Sequence, residues 1–176
     1  TLNSGSIDVA GYTISDFSSK QLIEYRRENV GFVFQFYNLI PDLTVAENIK
    51  VIADISKEPL DVDELLKILG IDMLASRFPN EISGGQQQRV AIARAMIKKP
   101  KVLLCDELTG SLDSSSARDV LRLVQEVNRA YGTTILIVTH NAEIKKMADR
   151  YVHIRDGKVV VNEVQTEKAG VTEMNL

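Results

Sequence analysis

Two short, uninterrupted apolar runs, Val102-Leu103-Leu104-Cys105 and Ile135-Leu136-Ile137-Val138, flank an amphipathic stretch at about 115 to 131 that stops at Gly132. Runs of this kind read as parallel strands, buried on both faces and joined by a crossover helix. The chain is thereby constrained to an α/β fold around a parallel sheet. With 176 residues, 44% of them apolar, it can bury one core, and one domain is expected. Both runs fall far short of the roughly 18 apolar residues that span a bilayer, so no transmembrane segment is expected. The net charge of -3 gives no general attraction for nucleic acid, and none is expected as a partner. The single cysteine, Cys105, sits inside the first run as a small hydrophobe, consistent with a reducing, cytosolic setting.

The remaining segments fit around that βαβ unit. Residues 5 to 14 alternate apolar and polar positions around glycines, which predicts a small antiparallel β layer. Ser18 to Glu28 is helical in composition, and Val30 to Phe36 reads as a strand. From 38 to 100 the signals are helical, so this stretch is expected to be an inserted helical subdomain. Within it, Val45, Ile49 and Ile52 recur at helical spacing, and 61 to 70 starts on acids and stops on glycine. Ser83-Gly84-Gly85-Gln86 then opens a helix to Lys99, terminated by Pro100. Beyond the second run, a short helix over 142 to 149 leads to Tyr151 to Arg155, and Asp156-Gly157 predicts a hairpin turn into Lys158 to Val161. The polar tail from Asn162 is expected to fray.

Ligands of open parallel sheets bind beyond the carboxyl ends of the strands. One strand ends at Asp106-Glu107, the other at Thr139-His140. The two carboxylates suit a division of labour, one toward Mg2+ and one as acceptor of a proton from an attacking water, or they form a solvated acidic turn. His140 reads as a phosphate contact, or as the hydrogen-bonded structural residue that a lone histidine after a strand more often is. Ser83-Gly84-Gly85-Gln86 places a hydroxyl and unencumbered N–H groups at a helix N-terminus, which is an anion site or an ordinary serine cap. Gln35, near a strand end, reads as a ligand of metal-bound water or as an inert surface residue.

The order of these motifs resembles the nucleotide-binding domain of ABC transporters across nearly the whole chain. Gln35 matches that family's glutamine loop, and Ile82-Ser83-Gly84-Gly85-Gln86 its signature motif, with Ile in place of the usual leucine. Val102 to Glu107 resembles the Walker B strand with its catalytic glutamate, Ser111-Leu112-Asp113 the D-loop, and His140 the switch histidine. Phe34-Gln35-Phe36-Tyr37-Asn38-Leu39-Ile40-Pro41, Gln86-Gln87-Gln88-Arg89 and the run from Asp106 through Gly110 are similar to the lipoprotein-release and macrolide-exporter branch. The resemblance implies a P-loop NTPase-like α/β fold, ATP and Mg2+ as cofactors, and a cytoplasmic location at the membrane face. It also implies two partners, a membrane permease and a second ATPase subunit in a head-to-tail dimer. Site roles follow by the same resemblance: Asp106 and Gln35 for the metal, and Glu107, His140 and Gln35 for catalysis. Ser83, Gly84, Gly85 and Gln86 would contact nucleotide in trans, and Asp113 would link the two sites.

Three departures stand out. Leu108 replaces the family's usual proline, and Ser111 stands where this branch often has alanine. The Gly-x-x-x-x-Gly-Lys-Ser/Thr loop that cradles phosphates does not occur in these residues. The only Gly-Lys, Gly157-Lys158, has Val152 and Val159 where the first glycine and the hydroxyl belong. The resemblance therefore predicts an N-terminal truncation, with the start at Thr1 a cut, and no turnover by this chain alone. Two rivals compete with the transporter reading. A chromosome-maintenance or translation ATPase would carry long heptad repeats between Gln35 and Ser83, or a second cassette, and this sequence shows neither. A non-enzymatic module would need only the signature face, yet Glu107 and His140 are both present.

Overall fold

A computed structural model describes residues 4–171 and Met174. Thr1 lies outside these residues, as do 172, 173, 175 and 176 of the tail. The centre is a three-stranded parallel sheet in the order β3 (Val30–Val33), β4 (Val102–Asp106) and β5 (Thr134–Val138). Phe32 pairs with Leu104 and Leu104 with Leu136, which sets the register across all three strands. Helix α5 (Ser114–Tyr131) is the expected crossover between β4 and β5. Its buried stripe Ala117, Val120, Leu121, Val124 and Val127 recurs at helical spacing. Asp113 caps its start, and Gly132, at φ 64°, ends it in the left-handed conformation that glycine adopts without Cβ strain.

Four further α-helices complete the described core. Helix α1 (Ser19–Asn29) begins with a Ser18–Gln21 capping box and delivers the chain directly into β3. Residues 38 to 100 contain α2 (Val45–Ala53), α3 (Val62–Ile68) and α4 (Gly84–Met96), with short 3-10 turns between them. Capping boxes at Thr44/Glu47 and Ser83/Gln86 start α2 and α4. Helix α4 is a joint rather than part of a separate body, because it packs on α2, on α5 and on β3. Gly31 makes the last contact possible: a Cβ there would lie 2.8 Å from Leu103 Cδ1 and 2.9 Å from the Ala95 carbonyl oxygen. Buried Asn48 organises the approach to α2, taking the Ile40 N–H at 2.8 Å and donating to the carbonyls of Ile40, Leu43 and Thr44.

Two two-stranded antiparallel sheets lie outside the centre. One joins β1 (Asp8–Val9) and β2 (Tyr12–Thr13) through Ala10 and Gly11, both at positive φ. The other joins β6 (Arg150–Arg155) and β7 (Lys158–Val164) through Asp156 and Gly157, at φ 51° and 72°. Gly157-Lys158 is thus a hairpin turn and no phosphate cradle.

Four expectations need correction. The parallel strands are buried on one face only: Gly31, Leu103, Cys105 and Val33 face the helices, whereas Phe32, Leu136 and Val138 on the opposite face are 43%, 52% and 54% exposed. Apolar runs signal two covered faces only when a second layer is present, and among the described residues none lies there. Strand β3 stops at Val33, so Gln35 stands past its tip in a turn. The expected helix over 142 to 149 is a single 3-10 turn, Ile144–Met147, which buries Ile144 and Met147. The tail does not fray at Asn162, because β7 continues to Val164 and the Gln165 N–H donates to Asp149 O. Lys168 pairs with Asp149, and Val171 and Met174 are buried in the core.

Candidate functional site

The tips of β4 and β5 bring the acidic and imidazole groups together. The Glu107 N–H donates to Val138 O at 2.9 Å, extending the β4–β5 ladder by one bond beyond Asp106. Glu107 itself sits at φ 50°, a left-handed conformation that costs a non-glycine residue energy and persists only where neighbours impose it. From there its Oε1 lies 2.9 Å from Nδ1 of His140. The carboxylate is mostly covered and the imidazole is largely exposed, at 24% and 80% of their side-chain surfaces. The two residues line a cleft of about 190 Å³ with Thr109, Gly110, Leu112, Thr139 and Asn141.

Gln35, in the turn beyond β3, approaches Gly110 at the edge of this cleft. Its Nε2 would lie 3.2 Å from a Cβ at Gly110, and the Gly110 N–H donates to Glu107 O at 3.0 Å. Three strand tips therefore converge on one turn. Asp106 is exposed at the end of β4. Among the described residues no three His, Cys, Asp or Glu side chains gather as a metal cluster. One carboxylate from Asp106 and one carboxamide from Gln35 make a sparse, all-oxygen donor set. That set suits Mg2+, which keeps several waters and takes the rest of its shell from phosphates.

The signature segment is locally satisfied. Ser83 Oγ accepts the Gln86 N–H at 3.3 Å, and the Gln86 carboxamide oxygen accepts the Ser83 N–H at 2.9 Å. The glycines that follow are closely approached by neighbouring side chains. A Cβ at Gly84 would meet Tyr37 Oη at 2.9 Å, and one at Gly85 would meet Ser116 Oγ at 3.2 Å. Asp113 is similarly engaged at home, where Oδ1 accepts the N–H groups of Ser115 and Ser116, both at 3.0 Å. The hydroxyls of Ser115 and Ser116 hold its carboxyl well below the usual carboxylate range. The structure brings Gln35, Glu107, Asp106 and His140 to one end of the sheet. Ser83 to Gln86 form the start of α4 beside the 111–116 segment, and Gly85 and Asp113 both touch Ser116.

Sequence reasoning missed Tyr37, Arg94 and Asn48. Asn48 was findable, since it lies next to Ile49 on the apolar face of α2, where an unpaired amide would be costly. Arg94 and Tyr37 carry no such signal, because their contacts span more than fifty residues.

Comparison with known proteins adds to this geometry. A family pattern described as ABC transporter matches residues 1–110. A putative ABC transporter ATP-binding protein of Mycoplasma genitalium is 45% identical over 167 residues, covering 93% of this chain and 54% of that protein. The lipoprotein-releasing system ATP-binding protein LolD of Bacteroides fragilis is 39% identical over 163 residues, covering 90% of this chain and 76% of that protein. Among solved structures, the ATP-binding cassette MJ0796, a dimer in a post-hydrolysis state bound to ADP and Pi, superposes with a TM-score of 0.77 at 33% identity. That match covers 92% of this chain and 74% of the cassette. The chain spans 54% and 49% of the two Mycoplasma relatives, about half their length. The parallel sheet, the helices inserted between Gln35 and β4, and the homologues of the lipoprotein-release branch agree on one conclusion: the chain belongs to the ABC transporter family, as an ATP-binding domain.

Proposed function

We propose that this chain serves as an ATP-hydrolysing motor that drives a separate membrane permease. The observation that carries this reading is the Glu107–His140 contact at 2.9 Å on adjacent strand tips, with Glu107 held at positive φ. In this reading Glu107 accepts a proton from the attacking water as its oxygen adds to the γ-phosphorus of ATP, and the bond to the β,γ-bridging oxygen breaks so that ADP leaves. His140 holds Glu107 in place and lends a donor toward the γ-phosphate. Asp106 and Gln35 would hold Mg2+, which would supply neutralisation of phosphate charge when bound. Ser83, Gly84, Gly85 and Gln86 present the start of α4 to nucleotide on a second, head-to-tail subunit, and Asp113 ties the two sites together. The dimeric ADP- and Pi-bound cassette supports that assembly.

No helix among the described residues is long and apolar enough to cross a membrane. In this reading the domain meets its permease at the cytoplasmic membrane face. The Gly-x-x-x-x-Gly-Lys-Ser/Thr pattern is absent from these 176 residues. Several charge-assisted hydrogen bonds to phosphate, each worth about 1.5 to 3 kcal/mol, are therefore not supplied by them. The 176-residue chain alone is expected to hydrolyse no ATP.

The test is Glu107→Gln in an ATP-hydrolysing assembly containing this chain. Shape is kept and basicity lost, so turnover should fall by orders of magnitude while ATP binding stays intact. Phosphate release at the unchanged rate would remove Glu107 from this role.

A further inference from the structure

The loop after Gln35 has an unusual backbone. Tyr37 and Asn38 stand in succession at φ 59° and 51°. Left-handed backbone costs a non-glycine residue about 1 to 2 kcal/mol, so two in a row require an external constraint. Arg94 on α4 supplies one. Its Nη1 donates to the Asn38 carbonyl at 2.6 Å and its Nη2 to the Tyr37 carbonyl at 3.0 Å. The planar guanidinium reads both strained peptide units at once, as a fork that an ammonium cannot reproduce. It meets carbonyls where a carboxylate would be the usual partner, and burial lowers its pKa without discharging it. From the other side, Tyr37 Oη lies 3.1 Å from Ser111 Oγ, and Gly84 leaves the space that hydroxyl occupies.

The geometry points to Arg94 as the positioning residue for Gln35, fixing the left-handed Tyr37–Asn38 turn so that the Gln35 carboxamide is held against Gly110. The clamp ties the glutamine turn to the signature helix, and Tyr37 ties it to the loop after β4. Any rigid displacement of α4 is thereby transmitted to the Gln35 side chain. The functional half of this inference rests on the metal-and-water role proposed for Gln35, whereas the clamp itself does not.

Two measurements separate these halves. The first is amide hydrogen exchange on the 176-residue chain, comparing wild type with Arg94→Met and Arg94→Lys. The Tyr37 and Asn38 amides, which bond to Phe34 and Phe36 carbonyls, should exchange at least tenfold faster in Arg94→Met and by an intermediate factor in Arg94→Lys. The α4 amides from Val90 to Met96 should keep their protection. Unchanged exchange at 37 and 38, or an equal rise along α4, would overturn the clamp, the second because it would mark Arg94 as a general stability residue. The second measurement is steady-state ATPase activity of an assembly containing this chain. Arg94→Met should lower kcat at least tenfold with KM for ATP nearly unchanged, and adding it to Gln35→Ala should cost little more than Gln35→Ala alone. Additive losses would overturn the positioning role. Full activity of Gln35→Ala would overturn the role of Gln35 and the functional half with it, leaving the exchange result to judge the clamp.

Discussion

Individual residues carry this fold where two backbones come too close for a side chain. Gly31 is the clearest case, since the Ala95 carbonyl oxygen that a Cβ would meet at 2.9 Å belongs to the backbone of a packed helix and cannot swing aside. Gly31→Ala should therefore push α4 away from β3. Overpacking of this kind costs about 1 to 3 kcal/mol, and urea denaturation of the purified chain should show a lower midpoint at constant slope. An unchanged midpoint would mean that the sheet and helix are looser than the contact distances imply. The neighbouring Cys105 tells a related story, because burial pushes its thiol up to about 12 and leaves it a packing group with no accessible chemistry. A residue-by-residue reading placed Glu107 and His140 correctly just beyond strand ends, whereas Gln35 lies two residues past the end of β3. It had no access to Gly31 or Arg94, whose importance comes from atoms far away in sequence.

The elements were legible to the degree that their periodicity is local. Helix α5 lies within a residue of its expected span, since its apolar stripe, its Asp113 cap and its Gly132 stop are all written in adjacent positions. The stretch from 142 to 149 misled for the opposite reason. Ile144 and Met147 share one face, yet only one 3-10 turn forms, because the Asn141 side chain takes the Glu143 N–H and Ala148 is already extended. The cap of α5 carries an element-scale prediction about pH. The Asp113 carboxyl is depressed by its serine partners, so its stabilisation is complete above the ordinary carboxylate pKa near 4 and is lost as pH falls toward the depressed native value. Asp113→Ala should lower the thermal midpoint at neutral pH, and the gap to wild type should narrow on acidification below about pH 4. A gap that stays constant down to strongly acidic pH would show that the carboxylate charge plays no part in the cap.

At the scale of the whole molecule, helices layer one side of the central sheet, and among the described residues none covers the other. Phe32 and Phe34 stack with centroids 5.9 Å apart, and Leu136 and Val138, across β4 from them, are exposed too. An apolar area of this kind makes a soluble chain adhesive. The 176-residue chain should bind a hydrophobic dye and associate at rising concentration. Phe34→Glu should reduce both effects with little change in thermal midpoint, and equal dye binding by that variant would place the sticky surface elsewhere. The mistaken expectation of two covered faces has the same origin, since an apolar run records what a strand tolerates on each face and says nothing about which layer is present. The contact between Glu107 and His140 also carries information about the whole sheet. It closes only when Asp106 stands opposite Val138. A slip of β5 by a single residue would carry His140 about 3.3 Å along the strand and turn Leu136 to the wrong side. Glu107 and His140 thus form a vernier for strand alignment, whose contact closes only in sheets that have paired in register.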